Sequence, residues 1–412
     1  MKFFKFTALV FAIFLTFSIS VVPSNAADNL VEVPDVKVII NGQNVAFSDV
    51  ILSSGGRTLL PLRSLLASLG VQNDDEHILW DSTEKSVTII KDATKIKLFQ
   101  GNDTAYVNDV PVKLDVAPVG YSKNGKTYIP VKFVAQSLGK IVEWDGGAKS
   151  VFINDPKTVT VGTAEELVAA MDSNTKIILK KGTYNLSKIK QEYSEGQVFW
   201  EGVFDGNQLV IQGVSNLTLE GEAGAQAEIV VEPRYANIFS FRDCSNIVLR
   251  NIKAGHTPEQ GECAGGVLVF TDSSDISMVN TELYGSGIEG LTLNNTNSLS
   301  FANSVIDHCN SAIMTLHNSK DISFYKSRFS DNKAYYAVGA YDNCSMTFDD
   351  CDFTNNQVNG SFFGISLSKT LVSNSRFTNN SYSSFVLDPS NVILVVDTTV
   401  EESIGADDPT MP

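Results

Sequence analysis

Two carboxylates in this chain could work as a pair, Glu259 and Glu289. Glu259 sits in Gly255-His256-Thr257-Pro258-Glu259-Gln260-Gly261-Glu262-Cys263, the least repetitive stretch of the C-terminal region. Two glycines, a proline and several ionisable side chains suit a loop lip that touches a ligand; they equally suit a solvated surface loop. Glu289, in Gly287-Ile288-Glu289-Gly290, follows in a later repeat. With His256, such a pair has the groups for general acid–base chemistry at a glycosidic bond, given the right separation. A second set is aromatic. Tyr335, Tyr336 and Tyr341 offer flat rings that bury sugar C–H faces with little loss of entropy. Strict alternation sends one of Tyr335 and Tyr336 into the core. His317 aligns with Asn294 one repeat earlier, at a turn margin, where a solvated or capping role comes first. The third set is acidic: Asp349, Asp350 and Asp352, interrupted by Cys351. Calcium is the cofactor such carboxylates could hold. Asp352 shares its column with Arg328 and Arg376, a pattern that reads first as a surface salt-bridge ladder.

The elements that must position these residues are coils of about two dozen residues. Ile276, Leu299, Ile322 and Met346 succeed one another at intervals of 23, 23 and 24. Leu283, Ile306, Phe329, Phe353 and Phe377 do so at 23, 23, 24 and 24. Leu217, Ile247 and Ile276 are 30 and 29 apart, so the earlier coils carry longer loops. Stacked coils place equivalent residues about 4.8 Å apart, with apolar columns inward. Ser286, Cys309, Asn332, Asn356 and Asn380 mark one turn column, and Asn295, Asn318 and Asn343 another. Asparagine there satisfies its amides from coil to coil and tolerates left-handed backbone. Cys351 falls in a column with Ser304, Ser327 and Ser375, which makes it a space-filler rather than a reactive thiol. Helical periodicity is missing, and a sandwich would not hold so constant a spacing. The reading is a right-handed parallel β-helix, an all-β solenoid, over residues 158–400. Thr163 and Glu166 form a capping box for a short helix that covers its first coil. This opening resembles the pectin-lyase-like superfamily. Against the catalytic members of that superfamily, no complete set of active-site residues can be matched here.

Residues 36–153 hold an internal duplication. Thr58-Leu59-Leu60-Pro61-Leu62-Arg63 reads against Thr127-Tyr128-Ile129-Pro130-Val131-Lys132, 69 positions later. Ser68-Leu69-Gly70 matches Ser137-Leu138-Gly139, and Trp80-Asp81 matches Trp144-Asp145. Each copy predicts a helix with proline at its first position, one apolar stripe and a terminal glycine, within a small α+β module. The paired signatures resemble the copper amine oxidase N-terminal-like domain of bacterial surface proteins, which implies a stalk or adhesive module. Copper is not expected. The cofactor-forming tyrosine motif is absent, and His77 is the only histidine of this region, so a three-histidine site cannot be built.

The N-terminus reads as an export signal over residues 1–26. Lys2 and Lys5 precede the apolar run Phe6 to Val22, and Ser24-Asn25-Ala26 supplies a cleavage pattern. No cysteine precedes Cys244, so no lipobox is present. No later stretch is long and apolar enough to span a bilayer, so no membrane insertion follows cleavage. The whole chain carries a formal charge of −16, and losing Lys2 and Lys5 makes it −18. That charge disfavours nucleic acid, and it disfavours polyuronates unless a cation bridges the two. Five cysteines without paired spacing argue against a disulfide framework. The expectation is an extracellular or cell-surface protein whose β-helix binds a polysaccharide or cell-wall glycan. A polysaccharide lyase or glycoside hydrolase ranks second, and a structural spacer third.

Overall fold

The computed structural model describes residues 30–191, 196–224, 226–257, 264–285, 287–387 and 392–401. The chain divides into two units between Asp155 and Pro156. The first unit is built from the duplication. Helix α1 (Leu62–Ser68) and helix α2 (Val131–Ser137) each follow a strand that ends in proline, Arg57–Pro61 and Lys126–Pro130. These two strands pair antiparallel through Leu60 and Ile129, so the copies meet at their equivalent elements. Leu62, Leu65, Leu66, Val131, Val134 and Ala135 bury their stripes in one cluster with Ile89 and Ile153. The prolines differ by one position from expectation. Pro61 and Pro130 are the N-caps, still in extended backbone, because each closes the preceding strand and pairs across the sheet. Gly70 and Gly139 end the helices at φ of 77° and 76°, the left-handed region where a Cβ is unwelcome. The strand Lys37–Ile40 pairs parallel with Ser150–Asn154, tying the start of the first copy to the end of the second.

The second unit is a parallel β-helix with three walls. Among the described residues the first wall has ten strands, from Lys157–Val161 to Val392–Val396. The second has nine, from Gly182–Asn185 to Thr399–Val400, and the third nine, from Val198–Val203 to Ser384–Val386. The register repeats the sequence ladders. Leu217, Ile247, Ile276, Leu299, Ile322 and Met346 are successive partners on the first wall. Leu283, Ile306, Phe329, Phe353 and Phe377 are successive partners on the second. Their rings stack inward, Phe353 on Phe377 at 4.4 Å and Phe329 on Phe353 at 4.8 Å. Helix α3 (Ala164–Ala170) lays Ala164 and Leu167 on the first coil's Val161 and Ile177. Its cap is half as expected. Thr163 Oγ1 accepts from Glu166 N, but the Glu166 carboxylate accepts from Gly162 N rather than from Thr163.

The asparagine columns do two different jobs. Asn332 Nδ2 donates to Asn356 Oδ1, and Asn356 Nδ2 donates to Asn380 Oδ1, each at 2.9 Å. These three are buried and point inward. The left-handed backbone falls instead on the residue before each, Asp331, Asn355 and Asn379. In the other column Asn295, Asn318 and Asn343 themselves take positive φ. Cys309 and Cys351 occupy the expected columns and are buried, as are Cys244 and Cys344. Cys351 N donates to Ser375 Oγ, continuing the serine column, and burial pushes its thiol up to about 12.

Candidate functional site

The outer face of the third wall is set by a corner that breaks alternation. At the start of successive strands two neighbouring residues both face inward: Ile313 with Met314, Ala337 with Val338, Phe362 with Phe363. Of the residues before these pairs, Tyr336 is half-buried, while Ala312 and Ser361 are buried. From there the outward columns run in register, Thr292, Thr315, Gly339 and Gly364 in one, Asn294, His317 and Tyr341 in the next.

This corner corrects the expectation for Tyr335 and Tyr336. Neither enters the core; Ala334 and Ala337 fill it on either side. Tyr335 is 64% exposed and meets Tyr336 edge to face at 4.6 Å. Tyr336 lies over Gly364, where an added Cβ would stand 2.6 Å from its Cγ. Tyr341 leans over Gly339 in the same way, with its Cε2 3.2 Å from the position of a Cβ. Its other neighbour is His317, whose ring stacks on it at 5.1 Å and 27°. Burial raises the Tyr341 phenol above its ordinary range, so its hydroxyl stays protonated. The four candidates thus gather on one face, with two glycines as floor. Those glycines were missed in sequence, although they recur at equivalent outward positions 25 residues apart.

Glu289 stands earlier on the same wall. Thr315 Oγ1 donates to Glu289 Oε1 at 2.9 Å, and burial pushes the carboxyl above the usual range against the pull of Thr315 and Thr292. Glu259 lies outside the described residues. His256 is not on a loop. It ends the strand Ile252–His256 of the second wall, 4% exposed, with Nε2 2.8 Å from the Ala236 carbonyl. Among the described residues no hydrogen bond or ion pair joins His256 to Glu289, because they belong to strands of different walls.

The acidic run does not assemble. Asp349 ends a first-wall strand and accepts from Ser373 and Asn374. Asp350 takes the turn at φ 55°, with Lys326 4.0 Å away. Asp352 opens a second-wall strand and bonds Arg376 at 3.0 Å, between the columnar Arg328 and Arg376. The turn splays the three carboxylates, and each is already engaged. In the first unit His77 Nδ1 lies 2.7 Å from Asp74, and no further histidine joins it. Among the described residues no group of three or more histidine, cysteine, aspartate or glutamate side chains is placed to hold a metal ion.

Residues 39–153 match the family model of the copper amine oxidase N-terminal domain, and residues 236–403 that of the right handed beta helix region. The first match lies within the first unit and the second within the β-helix of the second. Solved structures similar to it include a pectate lyase from Paenibacillus sp. 0602, 9% identical with a TM-score of 0.43, covering 61% of this chain and 81% of that one. Pectin methylesterase from Aspergillus niger is 11% identical at a TM-score of 0.38, with 61% and 90% covered. Polygalacturonase from Erwinia carotovora ssp. carotovora is 12% identical at 0.36, with 60% and 83% covered. No curated protein matches the chain.

Proposed function

We infer that this is an exported, surface-associated protein whose β-helix binds a neutral glycan on the outer face of its third wall. The signal over residues 1–26 supports export, and no helix among the described residues is long and apolar enough to cross a membrane. The first unit serves as a stalk or adhesive module. One observation carries the binding reading: Tyr335, Tyr336, Tyr341 and His317 gather over Gly339 and Gly364, with exposed ring surface beside the hydroxyl of Thr315. Flat rings next to hydroxyl and imidazole groups match a sugar's apolar face and polar rim. The formal charge of −16 sets a neutral glycan ahead of a polyuronate.

Glu289 favours the enzymatic reading in one respect, since burial raises its carboxyl above the usual range, the direction that suits a general acid. Among the described residues its hydrogen-bond partners are threonines rather than a second carboxylate, and we rank binding first. The test titrates the mature chain with neutral and uronate polysaccharides, with and without calcium, and follows binding, unsaturated ends and reducing ends. Saturable binding without product is expected. Tyr335→Ala and Tyr341→Ala should each weaken it about tenfold, roughly 1.4 kcal/mol. Gly364→Ala should weaken it too, by displacing Tyr336 without removing a ring. Turnover that disappears in Glu289→Gln makes the protein an enzyme. Absence of both binding and turnover leaves a structural spacer.

A further inference from the structure

The duplication of the first unit leaves one pair of residues without a structural task. Each copy closes a hairpin on matching residues, Trp80-Asp81 and Lys85-Ser86 in the first, Trp144-Asp145 and Lys149-Ser150 in the second. The strands entering these turns are Ile78–Asp81 and Ile141–Asp145. Asp81 Oδ1 accepts from Thr83 N at 2.8 Å and from Glu84 N at 3.1 Å. Asp145 Oδ1 accepts from Gly147 N at 2.8 Å and from Ala148 N at 2.9 Å. Lys85 and Lys149 carry the chain through left-handed backbone at φ 51° and 47°. Ser86 and Ser150 are buried at the start of the returning strands. The turn therefore uses the aspartate, lysine and serine. It makes no use of the tryptophans, which are 45% and 54% exposed.

Both tryptophans stand on strands at the edge of their sheets. Trp80 lies opposite Val87 and Trp144 opposite Val151, core residues of the next strand. Directly opposite residues share a face, so each ring sits at the margin of a buried face with its outer side open. Residues 79–85 and 143–149 are exposed throughout, and Leu79 is the only other large apolar side chain in them. A lone flat ring in a polar surround is too small for a protein partner, whose interface takes about 800 Å² from each side. It matches one pyranose, whose apolar C–H face stacks on the indole. Exposed Asp81, Glu143 and Asp145 supply acceptors for the sugar's hydroxyls and turn away anionic sugars. The copies are also related by a local two-fold. Leu60 pairs with its equivalent Ile129, while Leu59 and Pro61 pair with Pro130 and Tyr128 in mirrored order. The rings are therefore two equivalent sites on one unit. Two weak sites that engage one polymer gain about 10²–10⁴-fold over either alone.

We propose that Trp80 and Trp144 are paired stacking sites by which the first unit grips a neutral β-1,4-linked pyranose polymer. Such a chain repeats its apolar faces along its length. The proposal rests on the adhesive reading of the first unit and is independent of the third wall. Its test uses the mature chain carrying Tyr335→Ala and Tyr341→Ala, which removes the rings of the third wall. Sedimentation with insoluble β-1,4 polymers of N-acetylglucosamine and of glucose should show saturable binding to at least one. Trp80→Ala and Trp144→Ala should each weaken it about tenfold or more through lost avidity, and together abolish it. Trp80→Tyr with Trp144→Tyr keeps a flat ring at each site and should retain binding. The soluble hexamer of the bound sugar should shift tryptophan emission to shorter wavelength. The double alanine variant, left with Trp200, should lose that shift. Binding that survives the double alanine variant overturns the proposal and leaves the adhesive reading standing. Single variants that bind as tightly as their parent also overturn it. No binding to either polymer overturns both.

Discussion

Replacing Asn356 with alanine tests what holds the coils in register. Asn356 Oδ1 accepts from the backbone N–H of Asn332 at 3.1 Å and from Asn332 Nδ2 at 2.9 Å. Its Nδ2 donates to the Phe329 carbonyl and to Asn380 Oδ1, both at 2.9 Å. The side chain is buried, so water cannot replace these bonds. After truncation Asn332 Nδ2 keeps the Ile306 carbonyl and Asn380 Oδ1 keeps the Asn356 N–H. The Asn332 N–H loses its acceptor, and the Phe329 carbonyl loses this donor. At about 1–3 kcal/mol for each stranded buried group, Asn356→Ala should cost roughly 2–6 kcal/mol. The neighbour supplies the contrast. Asn355 is exposed at φ 58°, so Asn355→Ala should cost only about 1–2 kcal/mol of left-handed strain, and Asn355→Gly less. Urea unfolding followed by circular dichroism measures all three, and hydrogen exchange shows whether the loss is local to coils near Asn332 and Asn380. A smaller loss for Asn356→Ala than for Asn355→Ala would refute the view that the inward amides, rather than the turn conformations, carry the stability.

Two further outcomes follow from buried ionisable groups. Burial raises the folded-state pKa of Glu289 above its unfolded value, so its favourable contribution is complete below the unfolded pKa and fades as pH rises through the folded one. Wild type should therefore lose stability relative to Glu289→Gln as pH climbs through that window, and thermal melts of both proteins across pH 3–8 check it; a constant gap would contradict the assignment. With Cys351 pushed up to about 12 and the other three described cysteines also buried, a Cys263→Ser variant should show no thiol reaction with a disulfide reagent while folded and four on unfolding. Rapid labelling in the folded state would show that the columns open.

The sequence by itself determined the architecture, because a solenoid stacks equivalent residues on one another and writes its geometry as a constant interval. Leu283 to Phe377 can be read as one column before any coordinates, and so can the helix–glycine units of the first domain. Local rules placed residues less well wherever a chain path changes direction. The corner that puts Tyr335 and Tyr336 both outside lies between two alternating strands, and alternation cannot foresee a doubled inward step. The turn at Asp350 likewise sends Asp349 and Asp352 to different walls, so sequence closeness made a cluster that space does not. Tertiary structure alone decided that His256 is buried with one idle nitrogen, since that depends on the Ala236 carbonyl 20 residues away. It also decided that Tyr284 folds onto Gly255 to meet Glu228, a contact spanning 56 residues. Periodicity reports which residues share a column; side-chain reach between columns depends on the space the neighbours leave.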